Sequence, residues 1–188
     1  MPRWILYSTV ESIPMLIDQA LPTYDFHEIH SLEINAPAEK IYEALWTLDL
    51  SRSLTTRLLF VLRGMPSSCL TLQGLIDIGF RILAEHRPQE LVIGVIGKFW
   101  TFYGGLVQFE PSTFAQFHVP AYAKAAWNFS LSEIQHRTTL VTTQTRIVCT
   151  DERSRQYFRY YWLIVRPFSG LIRKEILHTL KREAERQK

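Results

Sequence analysis

Hydrophobic residues keep two rhythms along this chain, and the order in which those rhythms follow one another predicts its elements. Over residues 24–34, Tyr24, Phe26, Leu32 and Ile34 share one parity, the period-two pattern of a strand with one buried side. Glu28 and His30 fall on that same parity. Either they point toward the apolar side, or the strand bulges or stays partly exposed near its start. Asn35-Ala36-Pro37-Ala38-Glu39 then reads as a helix start, because proline in the first turn sacrifices no hydrogen bond and Glu39 suits the positive end. Ile41, Leu45 and Leu48 form one face of that helix. Leu54, Leu58, Val61 and Leu62 make a second amphipathic helix, with Arg52, Arg57 and Arg63 toward water and a stop at Gly64-Met65-Pro66.

From residue 75 to 149 the period is mostly two. Strands are expected near 75–85, 90–96, 102–110, 122–131 and 138–149, with a turn at 86–89, a connection at 132–136 and an interruption at 111–120. In the fourth of these, Ala125, Trp127, Phe129 and Leu131 share one side while Lys124, Asn128 and Ser130 share the other, which predicts one buried face and one wet face. The last strand is ambiguous: the set from Thr139 to Ile147 and the set from Leu140 to Val148 both mix polar with apolar residues. Thr150-Asp151-Glu152 opens a long helix, with Thr150 as its cap. Phe158, Tyr161, Trp162, Val165 and Phe168 recur at helical spacing, and Leu171, Ile172, Ile176 and Leu180 continue the series. Pro167 predicts a kink or break over 166–170. Strand, two short helices, further strands and one long helix make an α+β fold, a curved antiparallel sheet of about six strands around the C-terminal helix. Residues 1–23 read as an arm or short helix ahead of a domain spanning 24–188.

Composition adds limits more than detail. At 188 residues, 47% hydrophobic and 21% charged, the chain suits one domain that needs neither disulfides nor metals to close its core. Cys69 and Cys149 have no metal-ligand spacing and suit a reducing compartment. The N-terminal residues lack a secretory pattern and no apolar run is long enough for a membrane span, so a soluble, cytoplasmic protein is expected. The net charge of +3 gathers in residues 171–188, where basic and acidic side chains interleave. That reads as a helix end complementing its dipole, with no nucleic-acid partner expected. His27, His30, His86, His118, His136 and His178 form no metal motif, and GxSxG, Walker A and GxGxxG patterns are absent, so neither metal nor cofactor is expected. Glu28, His30, Glu85, Glu90 and Arg146 are polar residues inside strands; Glu–Arg pairing within the sheet is their first reading and general acid–base work the second. Phe99-Trp100 with Phe102-Tyr103 is the densest aromatic cluster, either a cavity wall or lid or a plug in the core.

The element order resembles the START-like, helix-grip superfamily (SRPBCC), which includes polyketide cyclase/dehydrase-like proteins. Ile34-Asn35-Ala36-Pro37-Ala38-Glu39-Lys40-Ile41-Tyr42 is similar to that superfamily's first strand-to-helix junction. Three further stretches look like a bacterial branch of it: Gly79-Phe80 through Leu83-Ala84-Glu85, Glu90-Leu91-Val92-Ile93-Gly94 through Gly97-Lys98-Phe99-Trp100, and Thr145-Arg146-Ile147 through Tyr161-Trp162 to Arg173. The resemblance covers roughly residues 24–187. It implies an internal cavity between sheet and long helix that holds lipids, steroids, polyketides or similar molecules; iron–sulfur oxygenase members carry a Cys/His cluster that this sequence lacks. Binding of a small apolar molecule is therefore the first expectation, with Leu58, Leu62, Phe99, Trp100, Trp127, Phe129, Phe158 and Trp162 as walls and Arg146 orienting a polar head group. The second is a cyclase- or dehydratase-type enzyme using His30, Glu28 or Arg146 for proton transfer or charge stabilisation. The third is an interaction domain with a filled core.

Overall fold

The period-two stretches become an antiparallel sheet in which the first strand lies beside the last. In the computed structural model, residues 15–50, 71–101 and 104–186 are described. Along the chain run α1 (Leu16–Ala20), β1 (Phe26–Ile34), α2 (Ala38–Thr47), α3 (Leu72–Asp77), β2 (Arg81–His86), β3 (Glu90–Gly97), a 3-10 turn (Pro111–Thr113), β4 (Ala123–Gln135), β5 (Thr138–Cys149) and α4 (Glu152–Arg186). The five strands are ordered β1-β5-β4-β3-β2, every neighbouring pair antiparallel. This is the expected α+β, helix-grip arrangement, with one strand fewer among the described residues.

The missing strand is the one expected over 102–110. Its place is taken by a turn at Gly104 and Gly105, both at positive φ, where Lys98 N–H donates to the Gly104 carbonyl at 2.7 Å. Only a single bridge, Ile96 to Val107, joins that segment to the sheet among the described residues. The strand expected from residue 75 starts later, at Arg81. Residues before it form α3, whose first turn is capped by the Thr71 hydroxyl accepting from Gly74 N–H at 3.0 Å. Gly79, at φ 122°, then turns the chain into the strand. The helix expected around Leu58 and Leu62 lies outside the described residues.

α4 continues unbroken through Pro167. The carbonyl that loses its partner there belongs to Leu163, on the exposed side of the helix, so water can satisfy it. Its cap is Asp151 rather than Thr150: Ser154 N–H and hydroxyl both donate to the Asp151 carboxylate, at 2.9 and 2.8 Å. Thr150 instead exchanges hydrogen bonds with the backbone of Tyr122. No helix among the described residues is long and apolar enough to cross a membrane.

Both faces of the sheet are covered. On one, Leu91, Ile93, Phe129, Leu131 and Val141 pack against Ile41, Tyr42 and Leu45 of α2 and Ile176, Leu177 and Leu180 of α4. Toward the other end of the same face, Ala123 and Ile147 meet Phe158. The opposite face, expected to be wet, is closed by α1 and the segment around Phe114, which bury Val92, Ile96 and Ala126 beneath Ile17, Leu21 and Phe114. Of its polar residues, Glu90, Lys124 and Asn128 are consequently buried and hydrogen-bonded. Glu90 accepts from the backbone N–H groups of Leu16 (2.7 Å) and Ile17 (3.3 Å) and from the Asn128 amide (2.6 Å). Lys124 Nζ donates to the carbonyls of Ala115 (2.9 Å) and Phe114 (3.3 Å), and burial holds its pKa below the ordinary lysine value.

Candidate site between the edge strand and the long helix

Strand parity decides which polar residues meet. On β5, Val141 and Ile147 belong to the clusters under α4, so Thr143 and Thr145, on their parity, face that helix as well. Arg146 falls on the other parity. Its guanidinium donates to Asp18 at 2.6 Å and to the Leu21 carbonyl at 3.1 Å, and lies 4.9 Å from the Tyr24 ring centroid. It ties α1 to the sheet on the face away from α4. That placement separates it from Glu28 and His30, with which it was expected to share a cavity.

Glu28 and His30 take the inward parity of β1. The carboxylate Oε1 and His30 Nε2 are 2.9 Å apart, with the Glu28 side chain only 9% exposed. Register sets Glu28 opposite Thr145 and His30 opposite Thr143, and β4 continues the row with Trp127 opposite Thr145. Trp127 Nε1 donates to Thr143 Oγ1 at 2.6 Å, and that hydroxyl donates to the Asn128 carbonyl at 3.0 Å. The Arg173 guanidinium stacks on the Trp127 ring, 3.7 Å from its centroid. A polar row thus crosses an otherwise apolar face. Two oxygens in it, Glu28 Oε2 and Thr145 Oγ1, are buried with no hydrogen-bond partner among the described residues.

The long helix reaches this row at a glycine. A Cβ at Gly170 would stand 2.8 Å from Glu28 Oε1 and 3.5 Å from His30 Nε2. Beside this approach runs a groove of about 420 Å³, open to solvent and lined by Glu28 and His30 from β1 and by Arg166, Pro167, Gly170, Leu171 and Lys174 from α4. Sequence periodicity singled out none of those helix residues as part of a site. The available signal was Ser169-Gly170, two small residues on the buried side of an otherwise bulky helix.

Among the described residues, the expected Glu–Arg pairs within the sheet do not form. Glu28 pairs with His30, Glu90 holds α1, and Glu85 accepts from the Tyr42 hydroxyl, whose pKa is raised by burial and by that carboxylate. The reason is again parity, which turns Arg146 to the face opposite Glu28. His27, also on the Arg146 side, has its pKa lowered by burial and by the neighbouring guanidinium.

The aromatic candidates gather elsewhere. Phe158 is 2% exposed and touches the rings of Phe26, Phe99, Trp100, Tyr161 and Trp162, with centroids 4.8 to 6.4 Å away. None of these lines the Glu28 groove. Trp127 and Phe129, 5.0 Å apart, lie at the β4 end of the polar row and do not line the groove either. No group of three or more potential metal ligands occurs among the described residues.

The architecture defines an α+β protein of helix-grip type, an antiparallel sheet holding a long C-terminal helix. Among solved structures the chain is similar to CalU16 from Micromonospora echinospora, at 17% identity over 85% of this chain and 83% of that one, with a TM-score of 0.32. It is likewise similar to the Zhui aromatase/cyclase from Streptomyces sp. R1128, at 14% identity over 86% and 94% of the two chains (TM-score 0.33), and to TTHA0849 from Thermus thermophilus, at 10% identity over 85% and 94% (TM-score 0.28). Similarity at this level does not carry an activity across. No family model matches the sequence, and no curated protein matches it.

Proposed function

We propose that the chain binds a small molecule with an apolar body and a hydrogen-bond-donating end, seated between β1 and α4. The observation that supports this most is the pair of buried, unpartnered oxygens, Glu28 Oε2 and Thr145 Oγ1, on neighbouring strands of an apolar face. A buried acceptor left unmade costs about 1–3 kcal/mol, and more when charged. A ligand hydroxyl or amide would recover that loss. The apolar body would contribute about 25 cal/mol per Å² buried against Pro167 and Leu171 of the groove wall, before the entropy of association.

A second reading has its own observation. Glu28 against His30 at 2.9 Å is an orienting carboxylate on an imidazole, which fixes the tautomer and leaves the other ring nitrogen for proton transfer. On that reading the bound molecule is also transformed, in a cyclisation or dehydration.

Native mass spectrometry of gently purified protein, followed by denaturation, tests binding directly. A stoichiometric small molecule is expected, and Glu28→Gln should lower its occupancy while leaving the melting curve in place. Equal occupancy in that variant would remove Glu28 from the site. Incubating the released molecule with fresh protein separates the two readings: a product that His30→Asn fails to make establishes the enzyme, and an unchanged molecule establishes the binder.

A further inference from the structure

The outer side of α4 is apolar where a solvated helix is ordinarily polar. Tyr157, Tyr160, Ile164, Phe168 and Leu171 recur at three- and four-residue steps, with Leu163 beside them. All are exposed, Tyr160 by 61%, Leu163 by 71% and Ile164 by 69%. The residues that pack α4 on the domain, among them Phe158, Ser169, Ile176 and Leu180, lie on the other side of the helix. At about 1.5 Å per residue the stripe is about 21 Å long.

Charge tells what this stripe fits. From Arg153 to Lys174 the helix contains six basic residues and no acidic one. Arg155 is occupied by Asp25 and Glu152, and Arg173 lies on Trp127. Arg153, Arg159, Arg166 and Lys174 are exposed, and among the described residues no carboxylate pairs with any of them. An apolar stripe rimmed by unneutralised cations is the pattern of a helix lying in the boundary between lipid headgroups and acyl chains. A second copy of the chain would set these like charges against each other. A nucleic acid would use the cations but has no counterpart for Leu163, Ile164 and Leu171.

We propose that this face of α4 docks on an anionic lipid surface, lying in its plane without crossing it. Leu163 and Ile164 enter the acyl boundary, Tyr157 and Tyr160 sit at headgroup level, and Arg153, Arg159, Arg166 and Lys174 meet lipid phosphates and carboxylates. Arg166 and Leu171 also line the groove beside Glu28, so docking turns the groove mouth toward the lipid. The surface interaction does not depend on the groove being occupied.

Vesicle co-sedimentation of the full chain tests it, with no small molecule added. Binding is expected to vesicles of one part phosphatidylserine to two parts phosphatidylcholine, and to be weak on phosphatidylcholine alone. Raising salt from about 0.1 M to about 1 M, which shortens the Debye length from about 10 to about 3 Å, should release much of the protein. Leu163→Gln with Ile164→Gln should weaken binding roughly tenfold or more by removing aliphatic insertion. Arg153→Gln with Arg159→Gln should do so by a similar factor and flatten the salt dependence. These positions are exposed and outside the groove lining, so circular dichroism melts should match the parent. Equal binding to neutral and anionic vesicles overturns the proposal, as does binding indifferent to the Leu163/Ile164 pair. Absence of vesicle binding also overturns it. If the unbound chain then dimerises in sedimentation velocity through these residues, a second copy covers the stripe; if it binds a duplex oligonucleotide, nucleic acid does.

Discussion

At Gly170 the long helix lies close over the edge strand, and the atom a methyl group would meet is the carboxylate end of Glu28, which can swing aside. Glycine inside a helix also costs about 1 kcal/mol relative to alanine. Gly170→Ala should therefore leave the melting temperature unchanged or raised while lowering small-molecule occupancy in native mass spectra, because the displaced carboxylate leaves His30. A lowered melting temperature would show that the Glu28–His30 contact holds the fold rather than a ligand. At Asp151, N–H groups of Ala121 and Ser154 and the Ser154 hydroxyl hold the carboxyl down to about 2. Its capping contribution is thus complete above the ordinary carboxylate range of about 4 and is lost as pH falls through about 2. Asp151→Ala should cost about 1 kcal/mol in urea denaturation at neutral pH. Burial, followed by the Asp25 carboxylate, pushes the Cys149 thiol up to about 12. Peptide mapping after alkylation near the ordinary thiol value of about 8.5 should find Cys149 unmodified in the folded chain and modified after denaturation. Phe26, Leu32 and Ile34 put Glu28 and His30 on the apolar parity of their strand, but sequence alone left open whether they point inward, bulge or stay partly exposed. Parity was not legible for Arg146, since threonines occupy both sides of β5 and mask which one is dry.

At the scale of elements, α1 is held by strand residues as well as by its own cap, in which Met15 N–H donates to the Asp18 carboxylate at 3.0 Å. The Glu90 carboxylate takes the free N–H groups of Leu16 and Ile17 from the sheet below, and Arg146 ties Asp18 and Leu21 at the other end. Glu90→Gln should loosen this helix, and hydrogen exchange at Leu16 and Ile17 should accelerate well before the amides of β4 and β5 respond. A uniform acceleration would mean that α1 and the sheet open together. The same burial explains why alternation in β4 was misleading as to water: Lys124 and Asn128 look like a wet face, yet the Phe114 and Ala115 carbonyls satisfy Lys124, and Glu90 and the Gln144 N–H satisfy Asn128, in the interior. Long, strongly periodic elements such as α4 and β4 were legible, because each carries many apolar residues in one register; β5 was legible as a strand but not in which of its sides is dry. The strand expected at 102–110 was not formed, since Gly104-Gly105 bends the backbone in a way that hydrophobic alternation alone does not register. Phe158, which meets five other rings, is the anchor of α4 at its start; Phe158→Ala should cost about 3–5 kcal/mol, read as a shift in the urea midpoint.

Across the whole molecule, the concave face divides into an apolar half under α2 and the end of α4, an aromatic half around Phe158, and between them the polar row from Glu28 to Trp127. The layer arrangement followed from element order, because consecutive strands with a long helix after them leave few other ways to bury both. What joins the site could not be read in that way: Gly170 and Glu28 meet only because the first strand lies under the last helix. That strand order has a consequence for how the chain is made. β2, β3, β4 and β5 follow one another and can pair as they leave the ribosome, whereas β1, among the described residues, has its sheet neighbour in β5 alone, with Phe26 opposite Ile147. Synthesis runs N-terminal first at about 5–20 residues per second, so β1 waits several seconds as an unpaired, partly apolar strand until β5 appears. Closure of so long a loop belongs late in folding, and for that interval the nascent chain offers a free strand to any chaperone, or to any other nascent copy, within reach.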